Sequence, residues 1–127
     1  MNKLLPALLI FCAVFSAFQA NAGAKEDFEA FVNATRADAA KLKNSGVIMG
    51  IGADPIYKII AVNFKAPAAS NKLTPAVLQN QKNNMLKVMR TKQDDVRTIK
   101  RLNITIIYNL ITTDNKIVSM PIYASDF

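Results

Sequence analysis

The chain has 127 residues, 16 of them basic and nine acidic, for a formal net charge of +7, with no histidine, no tryptophan and one cysteine, Cys12. That length holds one domain at most. The absent histidines exclude imidazole acid–base chemistry and the usual zinc ligand sets, and a lone cysteine near the start excludes a disulfide framework.

Residues 1–22 read as a cleaved signal peptide. Lys3 supplies a short positive region, Leu4 to Phe18 an apolar run broken only by Pro6 and Ser16, and Ala20-Asn21-Ala22 places small residues at −3 and −1 of a cut before Gly23. The apolar run is 15 residues, short of the ~20 a membrane span needs. Lipidation at Cys12 is disfavoured by Phe11, which is bulky where a small residue is wanted. Removing the leader takes away Lys3 and Cys12, so 15 basic residues face nine acidic ones at a net charge of +6. The expected location is the periplasm of a Gram-negative bacterium or the medium outside it, with no transmembrane segment after cleavage. Residues 23–127 form the single expected domain.

The first predicted helix is Ala24 to Asn44. Phe28, Phe31, Val32, Thr35, Ala39 and Leu42 recur at helical spacing. Acids occupy the first turn and Lys41 and Lys43 the last, which complements the helix dipole. Gly46 suits the left-handed position beyond the helix end. Val47 to Gly52 reads as a short strand, Ala53-Asp54-Pro55 as a turn, and Ile56 to Phe64 as a second strand, apolar on both faces and so expected to be covered on both. Glycines 46, 50 and 52 do not follow the G-x-G-x-x-G spacing, and a helix precedes them where that motif needs a strand.

After a loop at residues 66–72, Thr74 and Pro75 open the second helix as cap and first helical residue, with Leu78, Met85, Val88 and Met89 as its buried stripe. Gln93-Asp94-Asp95 interrupts it. Asp94 is placed to cap a short second turn that carries Val96, Ile99 and Leu102 inward. A hairpin follows, with strands at residues 103–111 and 116–123 around the turn formers Thr112-Thr113-Asp114-Asn115. Pro121 lacks a donor and marks the last strand as an edge. The order α-β-β-α-β-β gives an α+β fold, two helices packed on one face of an antiparallel sheet of about four strands.

Nothing in this inventory marks a catalytic centre. The mature acids are Glu26, Asp27, Glu29, Asp38, Asp54, Asp94, Asp95 and Asp126, along with Asp114 in the hairpin turn. Asp94 and Asp95 are adjacent, so on a helix their side chains diverge by about 100° and make no dyad. No S-x-x-K pair occurs. No catalytic, cofactor-binding or metal-binding residue is therefore expected. The distribution of charge carries more. Lys58 to Arg101 holds ten basic residues and two acids, whereas Glu26 to Asp38 holds four acids and one basic residue.

The functional expectation is a non-enzymatic envelope protein that binds another macromolecule through a basic face made by Lys82, Lys87, Arg90, Lys92, Arg97, Lys100 and Arg101. An anionic envelope component or an acidic protein fits that face. Export and the missing aromatic interleaving argue against nucleic acid. The edge strand ending at Tyr123 offers strand addition as a second route. A secreted virulence factor or inhibitor is the alternative, and a small hydrolase with a carboxylate site a third reading.

Overall fold

The computed structural model describes residues 23–41 and 47–127. The leader, Cys12 and the predicted helix end from Leu42 to Gly46 lie outside the described residues. Helix α1 spans Ala24–Lys41, and Phe28, Phe31, Val32, Thr35 and Ala39 of the predicted stripe are all buried. Asp27 and Asp38 are buried beside them. Each has a cation in reach: Arg101 Nη2 lies 2.7 Å from Asp27 Oδ2, and Lys41 Nζ 3.2 Å from Asp38 Oδ1.

Strands β1 (Ile48–Asp54) and β2 (Ile59–Lys65) pair antiparallel, with a register shift between Ile48 and Gly50. The turn between them runs from Pro55 to Lys58, so the expected second strand from Ile56 is corrected. Ile56 and Tyr57 are 82% and 73% exposed. Asp54 causes the delay. Its carboxylate accepts from the Ile56 N–H at 2.9 Å and the Tyr57 N–H at 3.2 Å, which curls the backbone away from extension. Lys58 closes the turn at φ 56°.

Helix α2 (Pro75–Met89) begins as its sequence directs, with Thr74 Oγ1 accepting from the Val77 N–H at 3.3 Å and Pro75 in the first turn. Helix α3 (Gln93–Leu102) is a separate element. Lys92, not Asp94, holds its N-cap position, and Asp94 lies in the first turn bonded to Arg97. Asn103 takes the left-handed conformation at φ 54° and turns the chain into β3 (Thr105–Ile111). Strand β4 (Ile117–Ile122) returns through a turn that Asn115 closes at φ 61°.

Among the described residues the fold is α+β, with three helices and a four-stranded sheet in the order β1-β2-β3-β4. Two outer pairs are antiparallel, and the central β2–β3 pair is parallel. The expectation of two helices on an all-antiparallel sheet is corrected on both counts. After β2 the chain passes through α2 and α3 before entering β3 beside it, and a helical crossover between neighbouring strands makes them parallel. Ile60, Val62, Phe64, Ile106, Tyr108, Leu110, Met120 and Ile122 form one buried sheet face, packed in a single core with residues of all three helices.

Among the described residues no helix covers the other face. Ile59, Ala61, Ile107 and Ile111 are only partly buried, so β2 is covered on one side and not on two. A polar ladder crosses this face. Asn109 Nδ2 donates to Asn63 Oδ1 at 3.1 Å, and Ser119 Oγ donates to Asn109 Oδ1 at 2.8 Å.

Candidate functional site

The seven cations expected to form a basic face all lie on α2, α3 or the short link between them. The structure divides them by what they touch. Lys82 is ion-paired to Asp126 at 2.8 Å and sits 5.5 Å from the Tyr123 ring centroid. Arg90 Nη2 donates to the Asp126 backbone carbonyl at 2.7 Å. Arg97 pairs with Asp94 one turn earlier, and Arg101 reaches across to Asp27 on α1, both at 2.7 Å. Among the described residues no ion pair involves Lys87, Lys92 or Lys100. Lys87 and Lys100 are exposed and Lys92 half-buried.

Lys82, Arg90 and Arg101 thus fasten the chain to itself. Lys82 and Arg90 hold the C-terminal turn Ala124–Asp126 against α2, and Arg101 holds the start of α1. Asp126 is the centre of the first knot. Burial pushes its carboxyl up, but hydrogen bonds from Lys82 and the Tyr123 N–H, with the charges of Lys82 and Arg90, outweigh burial and hold it below the usual carboxylate range. Three of the seven cations, Lys82, Arg97 and Arg101, are ion-paired to Asp126, Asp94 and Asp27, whereas Lys87, Arg90, Lys92 and Lys100 have no ion pair among the described residues.

Among the described residues, the void at the junction of the helices is too small for a substrate. A void lined by Phe31, Met89, Lys92, Asp95, Val96 and Ile99 measures about 10 Å³, no more than one water occupies. Among the described residues no three His, Cys, Asp or Glu side chains gather as a metal site, and no helix is long and apolar enough to cross a membrane. The acids that a hydrolase reading would use are dispersed. Asp54 caps the β1–β2 turn, Asp94 pairs with Arg97, and Asp95 is buried under α3.

Arg36 lies outside the expected basic face. It lines two surface recesses between α1 and β1. One signal marked it: Arg36 is the lone cation in the acidic stretch from Glu26 to Asp38. Its neighbours on β1 could not be identified without the fold. In comparisons with known proteins the chain matches no family model, no curated protein and no solved structure.

Proposed function

We propose that the chain is an exported, non-enzymatic protein of the bacterial envelope that binds an anionic macromolecule through the outer side of α2 and α3. The observation that carries this reading is the charge left after internal pairing. Lys87, Lys92 and Lys100 have no carboxylate partner among the described residues, while Lys82, Arg90, Arg97 and Arg101 are engaged within the chain. A surplus of one sign on one face draws a partner of the opposite sign and weakens with salt, because exposed charges are screened within about 8–10 Å at physiological ionic strength.

Partner contact therefore falls to Lys87, Lys92 and Lys100, with Arg90 adding charge from its place beside Asp126. An acidic protein or an anionic envelope polymer fits this surface. Affinity capture with the tagged protein from its own envelope extract tests the reading. A specific partner retained at low salt and released at high salt supports it. No partner at either salt in the envelope, with the protein recovered from the medium, refutes envelope binding.

A further inference from the structure

A second surface, on the opposite end of the sheet from β4, is built for a different occupant. Among the described residues β1 has a partner on one side only, and its outer edge is bare. Edge strands are ordinarily blunted by charge, proline or a covering element, because unpaired N–H and C=O groups template another strand. From Ile48 to Ala53, β1 carries neither a charge nor a proline. The other edge is defended. Strand β4 contains Pro121, and beyond it the Tyr123 N–H is taken by Asp126 at 2.7 Å while Lys82 covers the ring.

Beside this bare edge runs a groove. One recess of about 300 Å³ is lined by Phe28, Glu29, Val32, Asn33, Arg36, Ala53 and Pro55. A second of about 260 Å³ is lined by Arg36, Ala39, Ala40, Ile48, Met49, Gly50 and Ile51. The two recesses adjoin at Arg36, which lines both. Nothing lies within 4 Å of where a Cβ on Gly50 or Gly52 would stand, so β1 carries no bulk on the sheet face away from α1 at these positions. Met49 is 60% exposed there.

The repeats of the two walls match. Along α1 the groove residues Val32, Arg36 and Ala40 step by four residues, about 6 Å of rise. Along an added strand, side chains on one face recur every two residues, about 6.6 Å. An extended peptide paired to β1 therefore presents alternate side chains to Val32, Arg36 and Ala40 in turn. The seven residues of β1 accommodate about 23 Å of it.

We propose that the α1–β1 groove binds an extended segment of another protein by strand addition to β1, with an acidic side chain on Arg36 and an apolar one two residues to each side. The charge assignment follows from Arg36, which has no ion pair among the described residues. The apolar assignments follow from Phe28, Val32 and Ala53 in one recess and Ala39, Ile48 and Ile51 in the other. Glu29, at one end, disfavours a second acid there. This surface is independent of the α2–α3 lysines and goes beyond the function proposed above.

The test uses a fluorescein-labelled heptapeptide, Thr-Ile-Thr-Glu-Thr-Ile-Thr, titrated by anisotropy with the protein purified from the cell envelope. Saturable binding is expected. Arg36→Glu weakens it about tenfold, the scale for exchanging attraction with repulsion at a partly exposed pair, and the same variant prefers the peptide with Lys in place of Glu. Methylating the backbone nitrogens that face β1 abolishes binding without altering any side chain. Reversing Lys87, Lys92 and Lys100 leaves the peptide affinity unchanged, which separates this proposal from the basic-surface reading. No saturable binding, or binding indifferent to Arg36→Glu, overturns it. So does a concentration-dependent dimer that forms through β1 and excludes the peptide, since the occupant is then a second copy.

Discussion

Replacing Arg101 by glutamine distinguishes a cation that holds the fold from one that waits for a partner. Arg101–Asp27 and Arg97–Asp94 have the same 2.7 Å separation, yet their surroundings differ. The Asp27 side chain is 3% exposed and that of Asp94 43%. Removing one member of a buried pair costs about 3–5 kcal/mol because the other charge is stranded. Here Arg101 is itself 47% exposed and Asp27 keeps a further interaction, so the loss is softened, and about 2 kcal/mol is the appropriate figure for Arg101→Gln. Against a typical domain stability of about 5–15 kcal/mol this is a large fraction. It corresponds to a fall in melting temperature of roughly 10 °C for a domain of this size.

Arg97→Gln, by contrast, breaks an exposed i,i+3 pair and costs under about 0.5 kcal/mol. Urea unfolding followed by circular dichroism measures both, and a double-mutant cycle with Asp27→Asn isolates the Arg101–Asp27 coupling at about 1–2 kcal/mol. Equal, sub-0.5 kcal/mol effects for Arg101→Gln and Arg97→Gln would refute the argument. The pair would then be an ordinary surface contact, and Arg101 would return to the list of available cations.

Acid sensitivity is a second expected property. The Asp114 carboxyl is held well below the usual carboxylate range, first by the Ser70 hydroxyl at 2.6 Å, then by the Thr112 side chain and the Ser70 N–H at 2.8 Å, and Asp126 is lowered as described above. Both folded-state values lie below the unfolded one, so their stabilisation is complete above about pH 4 and is lost as pH falls through the folded-state values. Urea midpoints for Asp114→Asn and Asp126→Asn should show a flatter decline below pH 4 than the parent; an unchanged slope rules these groups out. Thr74→Ala removes the α2 cap and should cost about 0.5–1 kcal/mol, the low end because the bond is 3.3 Å long. Ile106→Ala, at a site 1% exposed on a central strand, should cost about 2–5 kcal/mol by thermal or urea unfolding, and a loss below 1 kcal/mol contradicts the core assignment.

Much of the fold was legible where the signal is local. Thr74-Pro75 announces the α2 start, and Ile106, Tyr108 and Leu110, two residues apart within the predicted strand, form the buried face of β3. The failures share a cause: the deciding partner was distant or the residue type misleading. Ile56 and Tyr57 carry strand-forming side chains, but two hydrogen bonds to Asp54 put them in a turn. The parallel β2–β3 register is fixed by Ile60 meeting Ile106 and Val62 meeting Tyr108, pairs separated by a whole helical crossover. No periodicity encodes that.

The basic face was legible as composition and not as geometry. Arg101 and Asp27 are 74 positions apart, and Arg90 and the Asp126 carbonyl 36, so the sequence alone could not show that these cations are spent within the chain. The α1–β1 groove was hidden for the same reason, although Arg36 stood out as the lone cation of the acidic stretch from Glu26 to Asp38.

The most direct test of the account is affinity capture from envelope extract with the parent protein and with the triple variant Lys87→Glu, Lys92→Glu, Lys100→Glu, each at low and high salt. All three residues lie outside the internal ion pairs, and because Lys92 is half-buried, cooperative urea unfolding of the variant is established before capture. The parent is expected to retain a specific anionic partner at low salt and lose it at high salt, while the folded triple variant retains none at either. A folded triple variant that captures the same partner as the parent, with the same salt dependence, would contradict it.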